Sequence, residues 1–103
     1  MNKYHAKRTW SDLCNRWFDS KAEAQYGEGL KMREMAGDIT GLTYQRKFVL
    51  SEDPKVTITI DFCYTYKLAV VFEDVKGVMT RDFRTKLAWL KQKYGEEVQI
   101  IKE

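Results

Sequence analysis

The chain has 103 residues, of which 44% are hydrophobic and 32% charged, and this composition is typical of one globular domain and not of a disordered chain. No apolar run approaches the roughly 20 residues that a membrane-spanning helix needs, and "MNKYHAKRTW" lacks the apolar segment of a secretion signal. We therefore expect a cytoplasmic protein. The two cysteines, Cys14 and Cys63, have no metal-ligand spacing, so we expect free thiols.

A basic segment begins the chain, although the net charge of +3 is too small to indicate a nucleic-acid partner by itself. The first eight residues contain no acid and four basic residues: Lys3, His5, Lys7 and Arg8. These side chains could contact a phosphate backbone or form ordinary solvated surface. We predict a basic N-terminal arm over residues 1–18, with Trp10, Trp17 and Phe18 packing its later part on a single domain over residues 19–103.

The first helix is predicted to begin at Ser20, because Ser20 and Glu23 have the spacing of a capping box. The stretch "AGDITG" ends this helix, and a strand over residues 44–50 follows. The stretch "SEDPK" contains the only proline and predicts a hairpin with a five-residue loop.

The clearest period in the sequence is the alternation over residues 56–66, which predicts a strand with one apolar and one polar face. Asp61 belongs to the polar face. The next strand, "LAVVFEDVK", is apolar until its acidic end and is predicted to be central in the sheet, joined to the preceding strand near Lys67.

A second helix is predicted after Thr80, which can cap it, and before Gly95, which can end it. Its core stripe has helical spacing and consists of Phe83, Leu87, Leu90 and Tyr94. The stretch "VQII" gives a last strand. The predicted fold class is therefore α/β, in the order helix-strand-strand-strand-helix-strand.

Three charged residues near the strand ends suggest chemistry. Residues i and i+2 of a strand share a face, so Asp74 and Lys76 point one way while Glu73 and Val75 point the other. If the two strands are antiparallel neighbours, Asp61 lies close to Asp74. Converging carboxylates repel unless one is protonated or a cation separates them, and oxygen ligands favour Mg²⁺ or Mn²⁺. Such an ion beside the Lys76 ammonium group would suit phosphodiester hydrolysis.

Structural roles for the same residues remain open at this point. Asp74 and Lys76 could form an exposed pair at a strand end, and Asp61 could accept hydrogen bonds from threonine or backbone donors. Glu23 could serve only as the acid of the capping box.

The ordered acids and lysine resemble the PD-(D/E)XK nuclease superfamily, whose core is restriction-endonuclease-like. The blocks "FDSKAEAQY", "QRKFVL", "IDFCY", "FEDVKG" and "TRDFRTK" are similar to a phage and prophage family of unknown function that is suspected of nuclease activity. The resemblance covers nearly the whole chain and implies a mixed sheet flanked by helices. It also implies that Glu23, Asp61 and Asp74 ligate the metal with the carbonyl of Val75, and that Lys76 assists the nucleophile. Ile60 stands where the superfamily name expects proline.

The resemblance implies a DNA partner and further contacts. Gln45, in the second block, could position water or phosphate, and Arg84 and Lys86, in the last block, could contact phosphates. The layout is also similar to that of small phage endonucleases that resolve DNA junctions as dimers, so we expect a homodimer acting in phage DNA recombination, repair or packaging. The alternative is a noncatalytic DNA-binding or partner-binding protein that keeps the nuclease fold.

Overall fold

A computed structural model describes residues 7–103, so Lys3 and His5 of the predicted arm lie outside the described residues. The elements, in chain order, are β1 (Thr9–Ser11), β2 (Arg16–Phe18), α1 (Lys21–Met35), β3 (Thr40–Glu52), β4 (Lys55–Tyr66), β5 (Ala69–Lys76), α2 (Arg81–Tyr94) and β6 (Val98–Lys102). The predicted α/β class and order are confirmed, with a short hairpin added before α1. Neither α1 nor α2 is long and apolar enough to cross a membrane, and the described residues contain no other helix.

The main sheet is mixed and has the strand order β3-β4-β5-β6. The pairs β3–β4 and β4–β5 are antiparallel, while β6 lies parallel to β5 after the crossover through α2. Lys67 and Leu68 connect β4 to β5 with φ angles of 49° and 69°, which suit a two-residue hairpin turn. The predicted junction near Lys67 and the interior position of β5 are therefore confirmed.

The connection between β3 and β4 differs from the prediction. Glu52 pairs with Lys55, so the turn contains only Asp53 and Pro54. The five-residue loop was therefore wrong. The proline suggested a longer loop, but Glu52 and Lys55 place opposite charges on facing strand positions, which is a favourable cross-strand pair.

The predicted helix ends are confirmed. Ser20 caps α1, because its Oγ accepts a hydrogen bond from the backbone N–H of Glu23 at 3.0 Å. Thr80 caps α2 in the same way, with its Oγ1 accepting from the N–H of Phe83 at 3.2 Å. Gly95 ends α2 with a φ of 73°, a left-handed conformation that glycine adopts without a steric penalty.

Two hydrophobic cores cover opposite faces of the sheet. The core on the α1 side contains Phe18, Ala24, Leu30, Ile39, Phe62, Tyr64 and Val75. The core on the α2 side contains Leu50, Ile58, Ile60, Cys63, Phe72 and Leu90. Ile60 and Phe62 are two residues apart in β4, so a regular strand would point both side chains to the same face, yet they belong to different cores. The alternation of side chains between the two faces therefore reverses at Asp61. The predicted division into one apolar and one polar face was therefore wrong.

Residues 9–18 form the β1–β2 hairpin, which packs against the middle of α1. Ser11 and Phe18 are buried beneath it, and Ser11 Oγ donates a hydrogen bond to Glu28 Oε2 at 2.5 Å. Phe18 packs on the body of the domain as predicted, whereas Trp10 and Trp17 remain about half exposed.

Candidate functional site

The strands β4 and β5 separate at the position of two aspartates. Their backbone pairing ends at Phe62 and Glu73, so the register places Asp61 opposite Asp74 at the next position. There, the N–H of Asp61 donates to Asp74 Oδ1 at 2.8 Å, and the N–H of Val75 donates to Asp61 Oδ2 at 3.0 Å. Hydrogen bonds to the two carboxylates therefore take the place of the next pair of backbone hydrogen bonds between β4 and β5. Both are buried, with exposed fractions of 7% for Asp61 and 1% for Asp74.

Lys76 supplies a positive charge beside this pair. Its Nζ lies 3.2 Å from Asp74 Oδ2, and its side chain is only 14% exposed. The ammonium group also lies 3.9 Å from the centre of the Phe83 ring, the distance of a cation–π contact. Lys76 is thus fixed between β5 and α2. The sequence pattern assigns Phe83 only to the core stripe, because its helical spacing carries no signal of this contact.

Gln45 approaches the pair from the other side of β4. The pairs Tyr44–Phe62 and Arg46–Ile60 leave Gln45 opposite Asp61, and Gln45 Nε2 donates to Asp61 Oδ1 at 3.3 Å. The φ of Gln45 is 55°, a left-handed backbone that is uncommon for glutamine and costs free energy. Gln45, Asp61 and Asp74 therefore form a polar row across three strands.

Glu23 lies on a different element, the first turn of α1, where it is 3% exposed. Its backbone N–H forms the helix cap with Ser20. Within residues 7–103, no three or more histidine, cysteine, aspartate or glutamate side chains are grouped so that they could hold a metal ion by themselves. The carboxylates that the described contacts bring together are those of Asp61 and Asp74.

The donor set nevertheless suits a hard divalent cation. Mg²⁺ usually keeps several waters and binds proteins through one or two carboxylates together with substrate phosphates. One carboxylate oxygen of each aspartate accepts a hydrogen bond from a backbone N–H. The other oxygen faces Gln45 Nε2 in Asp61 and Lys76 Nζ in Asp74. The buried charged residues of the described chain are all acids: Glu23, Asp61, Glu73 and Asp74. At the aspartate pair, the Lys76 ammonium group balances one of the two negative charges, and a bound cation would balance the other.

Glu73 does not belong to this site. Tyr26 donates its hydroxyl hydrogen to Glu73 Oε1 at 2.7 Å, on the α1 side of the sheet. Burial raises the pKa of the Tyr26 hydroxyl, and the hydrogen bond to Glu73 adds to the effect. Burial, again reinforced by Glu73, raises the pKa of Tyr64 to about 12. Both phenols therefore stay protonated near neutral pH and hold this acid in the core. Glu73 thus lies on the opposite face from Asp74 and Lys76, as the strand parity predicted.

The basic residues predicted to contact DNA lie outside this polar row. Arg84 is exposed on α2, and Lys86 Nζ lies 3.4 Å from the carboxylate of Asp82, one turn earlier on the same helix. Lys7 and Arg8 are exposed beside the β1–β2 hairpin. The described contacts join none of these four to Asp61, Asp74 or Lys76.

The predicted free thiols are confirmed, because Cys14 and Cys63 form no disulfide.

Comparison with known proteins places the chain in a family. No curated protein and no solved structure matches it. A family model described as "Protein of unknown function (DUF1064)" matches residues 1–102, which is almost the whole chain. The chain therefore belongs to the DUF1064 family.

Proposed function

We propose that this protein is a metal-dependent endonuclease that hydrolyses phosphodiester bonds in DNA with Mg²⁺ or Mn²⁺. The proposal depends above all on the buried Asp61–Asp74 pair, which lies where β4 and β5 separate, with Lys76 Nζ 3.2 Å from Asp74. The resemblance of the ordered acids and lysine to the PD-(D/E)XK superfamily supports the same chemistry.

The residues proposed to hold the ion are Asp61 and Asp74, with the carbonyl of Val75 as a further ligand. The resemblance also implies Glu23, but within residues 7–103 no three such side chains are grouped as a metal site, so Glu23 is left out of the proposed ligand set. When bound, a divalent ion at such a site offsets charge on a phosphate and lowers the pKa of a coordinated water. The site retains only a small exposed area at either aspartate, and this restricts water around the charged groups.

The remaining residues position groups and stabilise charge. Lys76 is held by Asp74 and Phe83, so its ammonium group is already in place to stabilise negative charge on a phosphate or to orient a water molecule. The Gln45 amide fixes Asp61 from the β3 side through its hydrogen bond to Oδ1. Preorganised groups of this kind do not have to be reoriented during the reaction.

DNA contacts are proposed for the exposed side chains of Lys7, Arg8 and Arg84 and for the partly exposed side chain of Lys86. One chain has one such site, so cutting both strands of a duplex or junction would need two subunits, and we propose a homodimer. Light scattering of the DNA-bound protein tests this part, and a monomeric mass would contradict it.

A nicking assay tests the function. Supercoiled plasmid and a four-way DNA junction are incubated with the full chain and Mn²⁺, with and without a chelator. We expect chelator-sensitive cleavage that is lost in Asp74→Asn. Asp38→Asn is the matched control, because it removes an acid whose side chain is 49% exposed and whose described ion pair is with Arg33, and neither residue is proposed to bind the ion or DNA. DNA binding without cleavage, together with no heat of Mn²⁺ binding, would instead indicate the noncatalytic DNA-binding role.

A further inference from the structure

The outward face of the β1–β2 hairpin carries two tryptophans that the core does not use. Trp10 pairs with Trp17 across the two strands, so both side chains project from the same face. Their neighbours Ser11 and Phe18 point inward and are each only 1% exposed. Trp10 and Trp17 remain 43% and 48% exposed. We call these two side chains the tryptophan face.

Local contacts fix the two rings in place. The ring centres are 5.5 Å apart with an interplanar angle of 67°, an edge-to-face arrangement. Trp10 Nε1 donates to Asp12 Oδ1 at 2.7 Å, and the guanidinium carbon of Arg8 lies 5.0 Å from the Trp17 ring centre. Because the Trp10 N–H already has an acceptor, this ring offers a partner its π surface. Rings that are already ordered lose little side-chain entropy on binding.

The charge around the tryptophan face is positive. Lys7 and Arg8 are both exposed and Arg8 lies over the Trp17 ring, whereas the acid Asp12 already accepts the Trp10 hydrogen bond. Arg16 has the inward parity of Phe18 and does not belong to this face. Aromatic rings interleaved with cations are the combination by which proteins hold single-stranded nucleic acid, since the rings stack on bases and the cations attract phosphates.

The hairpin is tied to the strand that carries part of the candidate site. The guanidinium carbon of Arg16 lies 4.8 Å from the ring centre of Phe18 and 4.6 Å from that of Tyr44. Tyr44 directly precedes Gln45, which donates to Asp61. A strand of DNA on the hairpin would therefore lie on the same body that holds the aspartate pair.

We propose that the tryptophan face stacks on unpaired DNA bases, so that the substrate class is DNA with a single-stranded segment and not uninterrupted duplex. The bases of a duplex already stack on one another, and separating them has a free-energy cost that an unpaired base avoids. The substrate assignment rests on the proposed nuclease function, whereas the binding itself can be measured without cleavage.

The test uses the full chain in chelator, where cleavage cannot interfere. Fluorescence anisotropy compares a labelled single strand, longer than the ~4–16 nucleotides that one small binding domain covers, with the same strand annealed to its complement. We expect Trp10→Ala and Trp17→Ala each to weaken single-strand binding about 5- to 100-fold, the range measured for loss of one stacking aromatic. Duplex binding should change less than about twofold, because phosphate contacts carry it.

Matched variants separate stacking from folding. Trp10→Phe and Trp17→Phe keep an aromatic ring and should retain most of the single-strand affinity. Trp89→Ala on α2 removes the third tryptophan and should leave the single-strand affinity unchanged. If an alanine variant loses its native circular dichroism, the phenylalanine variants and quenching of wild-type tryptophan fluorescence by the single strand decide the question.

Equal weakening of single-strand and duplex binding, or no weakening at all, would overturn the inference. The two proposals fail separately. Tryptophan-dependent binding of single strands without cleavage in Mn²⁺ would refute only the nuclease function, whereas cleavage that is indifferent to both tryptophans would refute only the stacking surface.

Discussion

Asp61 and Asp74 face each other across β4 and β5, and each side chain accepts a hydrogen bond from the opposite strand. Asp74 Oδ1 accepts from the N–H of Asp61 at 2.8 Å, and Asp61 Oδ2 accepts from the N–H of Val75 at 3.0 Å. A neutral asparagine could make either bond without adding negative charge. Lys76 balances one of the two buried charges, so the second is a cost in stability that the hydrogen bonds alone do not require.

The first prediction concerns Asp61→Asn. The new side chain keeps an oxygen for the Val75 N–H, and the Gln45 amide can turn to accept from the new amide. In metal-free buffer, we expect the free energy of unfolding to rise by about 1 kcal/mol, because one of two like charges is removed. We also expect nicking to fall by at least about 100-fold. Urea unfolding and plasmid nicking measure the two effects, and a stable variant with full activity would remove Asp61 from the mechanism.

Lys76→Met should separate catalysis from metal binding. Methionine can keep the packing on Phe83 but removes the ammonium group that lies 3.2 Å from Asp74 Oδ2. Without a neighbouring cation, the aspartates should bind Mn²⁺ about fivefold more tightly, as a change of about 1 kcal/mol implies. Cleavage should nevertheless be lost. Isothermal titration calorimetry and the nicking assay test this pair of results.

The control for Lys76→Met is Lys91→Met, which removes an exposed lysine paired with Glu97 at 2.7 Å. It should change neither Mn²⁺ affinity nor cleavage. Should Lys76→Met cleave normally, the role of Lys76 would be only to balance the charge of Asp74.

Replacement of Gln45 should separate the effect of its left-handed backbone from the effect of its side-chain amide. Glycine adopts the φ of 55° without a steric penalty, so Gln45→Gly should be more stable than Gln45→Ala by about 1 kcal/mol. Both variants lose the amide bond to Asp61 and should cleave several-fold more slowly. Thermal unfolding and single-turnover cleavage are the measurements. A glycine variant less stable than the alanine variant would show that the left-handed backbone is not strained.

Two glycines of α1 provide a test of the fold. A Cβ at Gly27 would lie 2.8 Å from Phe18 Cζ and 3.0 Å from Phe62 Cε1, whereas a Cβ at Gly29 would meet nothing within 4 Å. Gly29→Ala should therefore stabilise the protein by about 0.5–1 kcal/mol through helix propensity. Gly27→Ala should destabilise it by about 1–3 kcal/mol, because the core must move. Chemical denaturation measures both, and equal signs would contradict the described packing.

Features that depend on neighbouring residues in the chain could be predicted from the sequence. Ser20, Thr80 and Gly95 mark helix ends because a cap is formed within a few residues of the chain. Strand parity likewise separated Glu73, which binds Tyr26, from Asp74, which contacts Lys76.

Features set by tertiary pairing could not be predicted. The strands β1 and β2 have three residues each, too few to show a period. Nothing local to Gln45 indicates a left-handed backbone, and nothing local to Asp61 indicates the reversal of the core-facing side. Sequence spacing predicted that Asp61 and Asp74 converge. It could not predict that each carboxylate accepts a hydrogen bond from the opposite strand, because this depends on where the backbone pairing of β4 and β5 ends.

The central claim is that Asp61 and Asp74 together bind a divalent ion. The most direct measurement is an anomalous difference map from crystals of the full chain soaked in Mn²⁺, with Asp61→Asn crystals as the control. We expect a manganese peak between the two carboxylates that weakens or disappears in the variant. No peak there at high Mn²⁺, or a peak bound only by other residues, would contradict it.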